Sequence, residues 1–147
     1  RQLDLGSRTK VTLAATDLFG AFFDTTYAYR FGPPSHDVTV AKLRDAETGD
    51  VIATAHHFPL GRSTALHPAT LGATLHLKDD RWFLDVTTDR FAQSVNISAE
   101  NARPSDDWFH LAPGETRTIE LFPSARRGGE TPCGEIRALG SRQLFRF

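Results

Sequence analysis

The sequence predicts an all-β protein: an antiparallel β-sandwich preceded by an additional partial sandwich or hairpin segment. Three observations carry that prediction. Apolar and polar residues alternate with period two over short runs, as in Trp82, Leu84 and Val86 against Phe83, Asp85 and Thr87, which is the pattern of a strand with one buried face. These runs recur about every ten residues with no helical period between them. Turn chemistry separates them, including Asp79-Asp80 and Pro113-Gly114. A chain of 147 residues accommodates one ordinary domain or two small sandwich-like units, and can bury a real core.

Residues 9–13, Thr-Lys-Val-Thr-Leu, alternate and predict a first short strand. Asp17 then suits the N-cap of a single helical turn reaching Phe22, because Gly20 and the Thr25-Thr26 pair oppose a longer helix. The segment holds Phe19, Phe22, Phe23, Tyr27, Tyr29 and Phe31, and stops at Gly32-Pro33-Pro34. Two readings of these rings stand. Either they bury themselves against a sheet, or they form an irregular excursion that packs on another domain or stacks on sugar; the segment is longer than ordinary connections. Residues 37–45 and 51–58 predict an antiparallel hairpin around the loop at Asp45 to Asp50, with Ile52, Thr54, His56 and Phe58 on one face. Residues 61–71 are rich in loop formers and predict a linker between a unit at 1–60 and a second at 72–147.

In the second unit, residues 72–78 predict a strand with Leu75 and Leu77 on one face, Asp79-Asp80 a turn, and 91–98 a further strand carrying Val95 and Ile97 inward. Residues 99–105 read as a polar loop and 126–134 as a glycine-rich, basic one. Residues 135–147 predict a docked tail or last strand. The chain is organised around residues 106–122, where two extended arms meet at a corner. Phe109 and Leu111 alternate with His110 before it; Arg117, Ile119 and Leu121 alternate with Thr116, Thr118 and Glu120 after it. Between them Pro113-Gly114 supplies the fixed φ and the positive φ that the central positions of a type II turn require. Phe109, Leu111, Ile119, Leu121, Trp82, Leu84, Val95 and Ile97 are expected to form one core between two sheets. Trp108, alternating against Phe109, should face outward.

The motif Asp-x-x-Phe-x-Leu-x-Pro-Gly-Glu-x-Arg-x-Ile at this corner resembles one near the end of the C-terminal immunoglobulin-like domain of β-mannosidases, glycoside hydrolases of family two. His110 and Trp108 depart from it, an acidic residue and a tyrosine or phenylalanine being usual there. Residues 27–60, with Tyr-Ala-Tyr-Arg-Phe-Gly-Pro-Pro-Ser-His-Asp-Val and His-His-Phe-Pro-Leu-Gly, are similar to the close of the penultimate domain of bacterial β-mannosidases. The resemblance implies an immunoglobulin-like fold for 72–147 and the closing strands of an Ig- or carbohydrate-module-like sandwich, possibly incomplete, for 1–60. It implies a parent that hydrolyses terminal β-mannosides with retention, with both catalytic glutamates on a TIM barrel of about 250 residues. That barrel lies outside the 147 residues here, so the activity is not expected of this chain alone. Partners implied are the catalytic and N-terminal domains of the parent. A bacterial origin is implied, with the compartment left open among periplasm, exterior and cytoplasm.

Composition bounds the remaining possibilities. A net charge of −1 with mixed signs leaves no electrostatic footprint for nucleic acid or an anionic membrane, and neither is expected as a partner. No apolar run approaches the roughly 20 residues of a membrane span. The single cysteine, Cys133, excludes an intrachain disulfide. Methionine is absent, position 1 included, which predicts a natural polypeptide beginning upstream. A glycosidase needs paired carboxyl groups, one with a raised pKa, but the acids here sit at hairpin tips (Asp45, Glu47, Asp50, Asp79, Asp80) and in polar loops (Glu100, Asp106, Asp107), where solvated charge is the default. No catalytic, cofactor-binding or metal motif is present. His56-His57 point to opposite faces of a strand and cannot chelate one ion there; no local signature gives Cys133 a base; and the sequon at Asn96 falls mid-strand. The expected role is therefore a non-catalytic accessory region supporting domain arrangement and the substrate cleft. The alternatives are a carbohydrate-binding module using exposed rings, with Trp108, Tyr27 and Tyr29 as the candidate sugar or interdomain contacts, and an unrelated small hydrolase. The first sixty residues, lacking a facing sheet, are expected to be covered by the aromatic segment, by 72–147, or by a second copy in a homodimer.

Overall fold

The computed structural model of the chain describes residues 6, 9–22, 36–124 and 130–147. Two compact units divide it, Arg1–Ala65 and Leu66–Phe147.

In the first unit, a one-and-a-half-turn helix, α1 (Ala15–Phe19), is followed by a two-stranded antiparallel sheet of β1 (Thr39–Arg44) and β2 (Val51–His57). The predicted strand at 9–13 is not formed. Residues 9–14 have no ladder partner among the described residues, and Val11 and Leu13 are exposed, so alternation there has no sheet to serve. Asp17 is not the N-cap either. Ala14 takes that position with extended φ and ψ, Asp17 lies in the first turn, and Gly20 ends the helix in the left-handed conformation, its N–H donating to the Thr16 carbonyl. A carboxylate in the first turn still interacts favourably with the unpaired N–H groups at that end. Phe22 is 83% exposed, contrary to burial against a sheet. Phe23, Tyr27, Tyr29 and Phe31 lie outside the described residues.

The hairpin is fixed by its turn. Asp45 Oδ1 accepts the N–H groups of Glu47 and Thr48 at 2.8 and 2.9 Å, and Gly49 takes φ 77°, where a side chain would strain the backbone. Arg44 donates to the Gly49 carbonyl at 2.9 Å. The register runs from Thr39 opposite His57 to Leu43 opposite Ala53, then shifts so that Arg44 opposes Val51.

The second unit is a sandwich. One sheet orders its strands β3 (Leu71–Lys78), β4 (Arg81–Thr88), β8 (Thr116–Pro123), β6 (Ala102–Pro104). The other orders β10 (Leu144–Arg146), β9 (Gly134–Leu139), β5 (Ala92–Ala99), β7 (Phe109–Leu111). Every pairing is antiparallel. The orders are those of an immunoglobulin fold, with β3-β4-β8-β6 as its A-B-E-D sheet and β10-β9-β5 as G-F-C, and β7 added at the edge beside β5. Asp79 and Asp80 both take positive φ, 50° and 57°, as the two-residue hairpin turn between Lys78 and Arg81 requires for its twist to match the strands.

The core forms where the two inner faces meet. Leu84, Val86, Ile119 and Leu121 from one sheet pack with Ala92, Val95, Ile97, Phe109, Leu111, Ile136 and Ala138 from the other, and Trp82 packs against their margin. Each fully buried Leu, Ile or Val contributes about 1.5–3 kcal/mol. With one cysteine in the chain, apolar contact takes the place of the inter-sheet disulfide found in many such domains. Of the eight residues expected there, seven are buried in this core and Trp82, partly buried, packs against it. Leu77, on the same face as Leu75, is 55% exposed near the end of β3, an edge strand.

Residues 99–105 were expected as loop, yet three of them form β6, an edge strand in which Pro104 is tolerated. Gly134 belongs to β9 rather than to the preceding loop, and its missing side chain matters: a Cβ there would meet the Ser98 carbonyl oxygen at 2.4 Å. The C-terminal stretch is strand at both ends, β9 and β10, paired with each other. Asn101, buried, pins the segment before β9: its Oδ1 accepts the Cys133 N–H at 3.0 Å and its Nδ2 donates to the Thr131 carbonyl at 2.9 Å.

Candidate functional site

The corner between β7 and β8 carries the features that a surface site needs. Glu115 N–H donates to the Ala112 carbonyl at 3.2 Å across Pro113 and Gly114, with Gly114 at φ 74°. That is the type II turn read from the sequence. It hands the chain from one sheet to the other, so Phe109 and Leu111 on β7 face Ile119 and Leu121 on β8.

On the approach to β7, Trp108 takes φ 60° and stands 62% exposed. Positive φ is costly for a bulky side chain. Asp107 imposes it. Its Oδ1 accepts the Ile97 N–H at 2.8 Å and the Trp108 N–H at 2.9 Å, and its Oδ2 accepts Asn96 Nδ2 at 3.0 Å. Asp107 therefore fastens the segment before β7 to strand β5 while its own N–H is taken by Asp106 Oδ1 at 2.8 Å. The other Asp106 oxygen pairs with Arg117, whose guanidinium lies 4.7 Å from the centroid of the Phe109 ring. With both partners partly exposed, this pair aligns the loop more than it stabilises the fold.

His110 lies on the same edge. Its Nδ1 accepts the Ser94 N–H at 2.9 Å and its ring tilts against Phe91 at 5.8 Å. Ser94, at φ 48°, sits in the irregularity that interrupts β5 between Ala92 and Val95. An acceptor at Nδ1 means the proton of neutral His110 is carried on Nε2. Histidine thus satisfies a bulge donor that a regular ladder would have paired.

Of the residues singled out from the sequence, Trp108 is where alternation placed it, outside, and Pro113 and Gly114 form the turn. Tyr27 and Tyr29 lie outside the described residues. His56 and His57 are neighbours on β2, and His56 stacks on Phe58 at 6.4 Å. Cys133 is half-buried beside Asn101. Asn96, the sequon residue, is engaged with Asp107. Asp106 and Asp107 were expected as solvated charge; they are instead the clasp of the corner. The signal for this lay in two consecutive acids just before a strand, where carboxylates compete for free backbone N–H groups. The Ser94 irregularity left no such signal.

Among the described residues no group of three or more His, Cys, Asp and Glu converges on a metal-sized space. Among the described residues, two carboxylates depart from their ordinary range, and both downward. The Thr48 N–H, then that of Glu47, lowers Asp45; the Thr70 N–H lowers Asp89. A glycosidase's general acid is shifted the other way.

Residues 66–138 match the Ig_mannosidase family, an Ig-fold domain. The matched span covers β3 to β9 nearly whole and contains the Asp106–Arg117 corner. This agrees with the strand order of the sandwich. Comparison with curated proteins returned no match.

Proposed function

We propose that the chain is a non-catalytic accessory region of a β-mannosidase-like glycoside hydrolase of family two. In this reading the Leu66–Phe147 sandwich supports the arrangement of the catalytic and N-terminal domains and borders the substrate cleft. The first unit corresponds to the closing strands of the preceding sandwich domain. The observation that carries the reading is the match of residues 66–138 to a mannosidase-associated Ig-fold domain. The test is hydrolysis of a chromogenic β-mannoside by the full gene product, by the same protein lacking residues 66–147, and by this chain alone. Activity in the first, loss of activity or stability in the second and none in the third is expected. Hydrolysis by the chain alone contradicts the proposal.

A carbohydrate-binding module is the second reading, favoured by one observation, the exposed Trp108 indole. Retardation of the chain in a mannan-containing gel, lost in Trp108→Ala, would select it.

A further inference from the structure

We infer that the sandwich pairs with a second copy of itself through strand β3, in an antiparallel two-fold register centred on Thr74 that seats Leu77 of each copy in a pocket beside Leu71 of the other. The surface lies wholly within the Leu66–Phe147 unit, and the inference is independent of the accessory-region reading.

A strand at the edge of a sheet offers a row of unpaired N–H and C=O groups, and short length or proline ordinarily blunts it. Among the described residues, three of the four edges of the sandwich are blunted: β6, β7 and β10 have three residues each, and β6 ends in Pro104. β3 has eight residues and no proline, and its register with β4 runs from Leu71 to Lys78 without a bulge. The turn decides which of its groups are free. Asp79 and Asp80, both at positive φ, make Lys78 and Arg81 the hydrogen-bonded pair that closes the hairpin. By alternation Gly72, Thr74 and His76 also bond β4, while Leu71, Ala73, Leu75 and Leu77 turn their N–H and C=O groups to the open side. The preceding residues keep this parity: the Thr70 carbonyl accepts the Asp89 N–H on the β4 side, and the Ala69 carbonyl accepts Ser141 Oγ on the other.

A knob and a hole on the same strand name the occupant and its register. Leu77, on the inner side of the sheet, is 55% exposed. A pocket of about 180 Å³, lined by Thr70, Leu71, Gln143, Leu144 and Phe145, lies where β3 begins beside β10. A cavity of roughly 150 Å³ takes up benzene, so this one admits an aliphatic side chain. Leu71 and Leu77 are equidistant from Thr74 along β3. A two-fold axis at Thr74 therefore places Leu77 of each copy opposite Leu71 of the other, and the contact is made twice, as an isologous interface requires. The remaining positions agree. Ala73 meets Leu75 as a hydrogen-bonded pair, Gly72 leaves room for His76, and Thr74 faces Thr74, a favourable cross-strand pair. Lys78 comes opposite Thr70, whose N–H is held by the Asp89 carboxylate, so a cation approaches an acid and no like charges meet. A register centred on Leu75 would instead set Asp79 against Leu71 and its pocket.

Sedimentation velocity of the intact chain across the micromolar range tests the pairing. A reversible equilibrium between monomer and dimer is expected, weakened about tenfold or more by Leu77→Glu, with the melting temperature of the dilute chain unchanged. Leu77 is exposed in the single copy and lies outside the buried core, so the variant loses no core contact. A parent that stays monomeric throughout, or a dimer that Leu77→Glu leaves as strong, overturns the inference. The register has its own check. In a Cys133→Ser background with diamide as oxidant, Thr74→Cys should give a disulfide-linked dimer, because directly opposed residues of an antiparallel ladder lie within disulfide reach. Leu139→Cys, exposed on the other sheet, should not. Equal cross-linking of the two, or none from Thr74→Cys, contradicts the two-fold axis at Thr74.

Discussion

The β1–β2 hairpin and the β4–β8 pair are both antiparallel ladders, yet they differ in how far their side chains are buried. Along β4 and β8 the inward positions Leu84, Val86, Ile119 and Leu121 are buried, because the inner face of β5, β7 and β9 closes over them. Along β1 and β2 not one residue is fully buried, and Leu43, Val51 and Ile52 remain exposed. Alternation and turn chemistry suffice to set strand and register in both. A second sheet face is needed to turn the same pattern into a core, and an isolated two-stranded hairpin is marginal in water.

The largest way to break this comparison is truncation at matched positions. Ile119→Ala or Phe109→Ala should lower stability by about 2–5 kcal/mol through lost burial and a residual cavity, whereas Ile52→Ala on the hairpin should change it by less than about 0.5 kcal/mol. Chemical denaturation of the three variants reads both. Comparable losses from Ile52 and Ile119 would mean the hairpin shares in the core.

A smaller effect is expected at the corner. Gly114→Val forces a β-branched residue into φ 74° and should cost about 1–2 kcal/mol, although a Cβ there meets nothing within 4 Å. Glu115→Ala should leave the melting temperature nearly unchanged. Equal melting of the two would remove backbone strain as the reason for glycine.

Much of this was legible in the residues. The facing of Trp82, Leu84 and Val86, and of Arg117, Ile119 and Leu121, follows from the two-residue period of side chains in a strand, and Pro113-Gly114 names its own turn. The mannosidase resemblance at the corner is matched by the family found over residues 66–138. What stayed hidden depends on partners distant in sequence. β6 is only three residues long and ends in Pro104, and only its pairing with β8 makes it a strand. The Ser94 irregularity is satisfied by His110, sixteen positions away. The alternation at 9–13 reads like that of β8, but among the described residues no strand pairs with it. Trp108's outward facing was legible; its positive φ and the reach of the neighbouring Asp107 carboxylate to Ile97 were not.

The smallest expected effect is a pH dependence that separates the two units again. The Thr70 N–H holds the Asp89 carboxylate below its ordinary range in the sandwich, as the Thr48 and Glu47 N–H groups hold Asp45 in the hairpin turn. A folded-state pKa below the unfolded value of about 3.9 gives stability that is present above that value and lost as pH falls through the folded one. Asp89→Asn should therefore melt slightly below the parent at pH 7, with the gap closing in acid. Asp45→Asn should leave the main transition unmoved at every pH. A gap for Asp89→Asn that is constant with pH would exclude the hydrogen bond as its cause.

Native-state amide hydrogen exchange on the intact chain tests most directly the claim that the closed sandwich, and not alternation, makes the core. The N–H groups of Leu84, Ile119, Val95 and Ile136 are expected to exchange only through global unfolding, and those of β1 and β2 to exchange orders of magnitude faster through local opening. Protection of the hairpin amides equal to that of β4 and β8 would contradict the account.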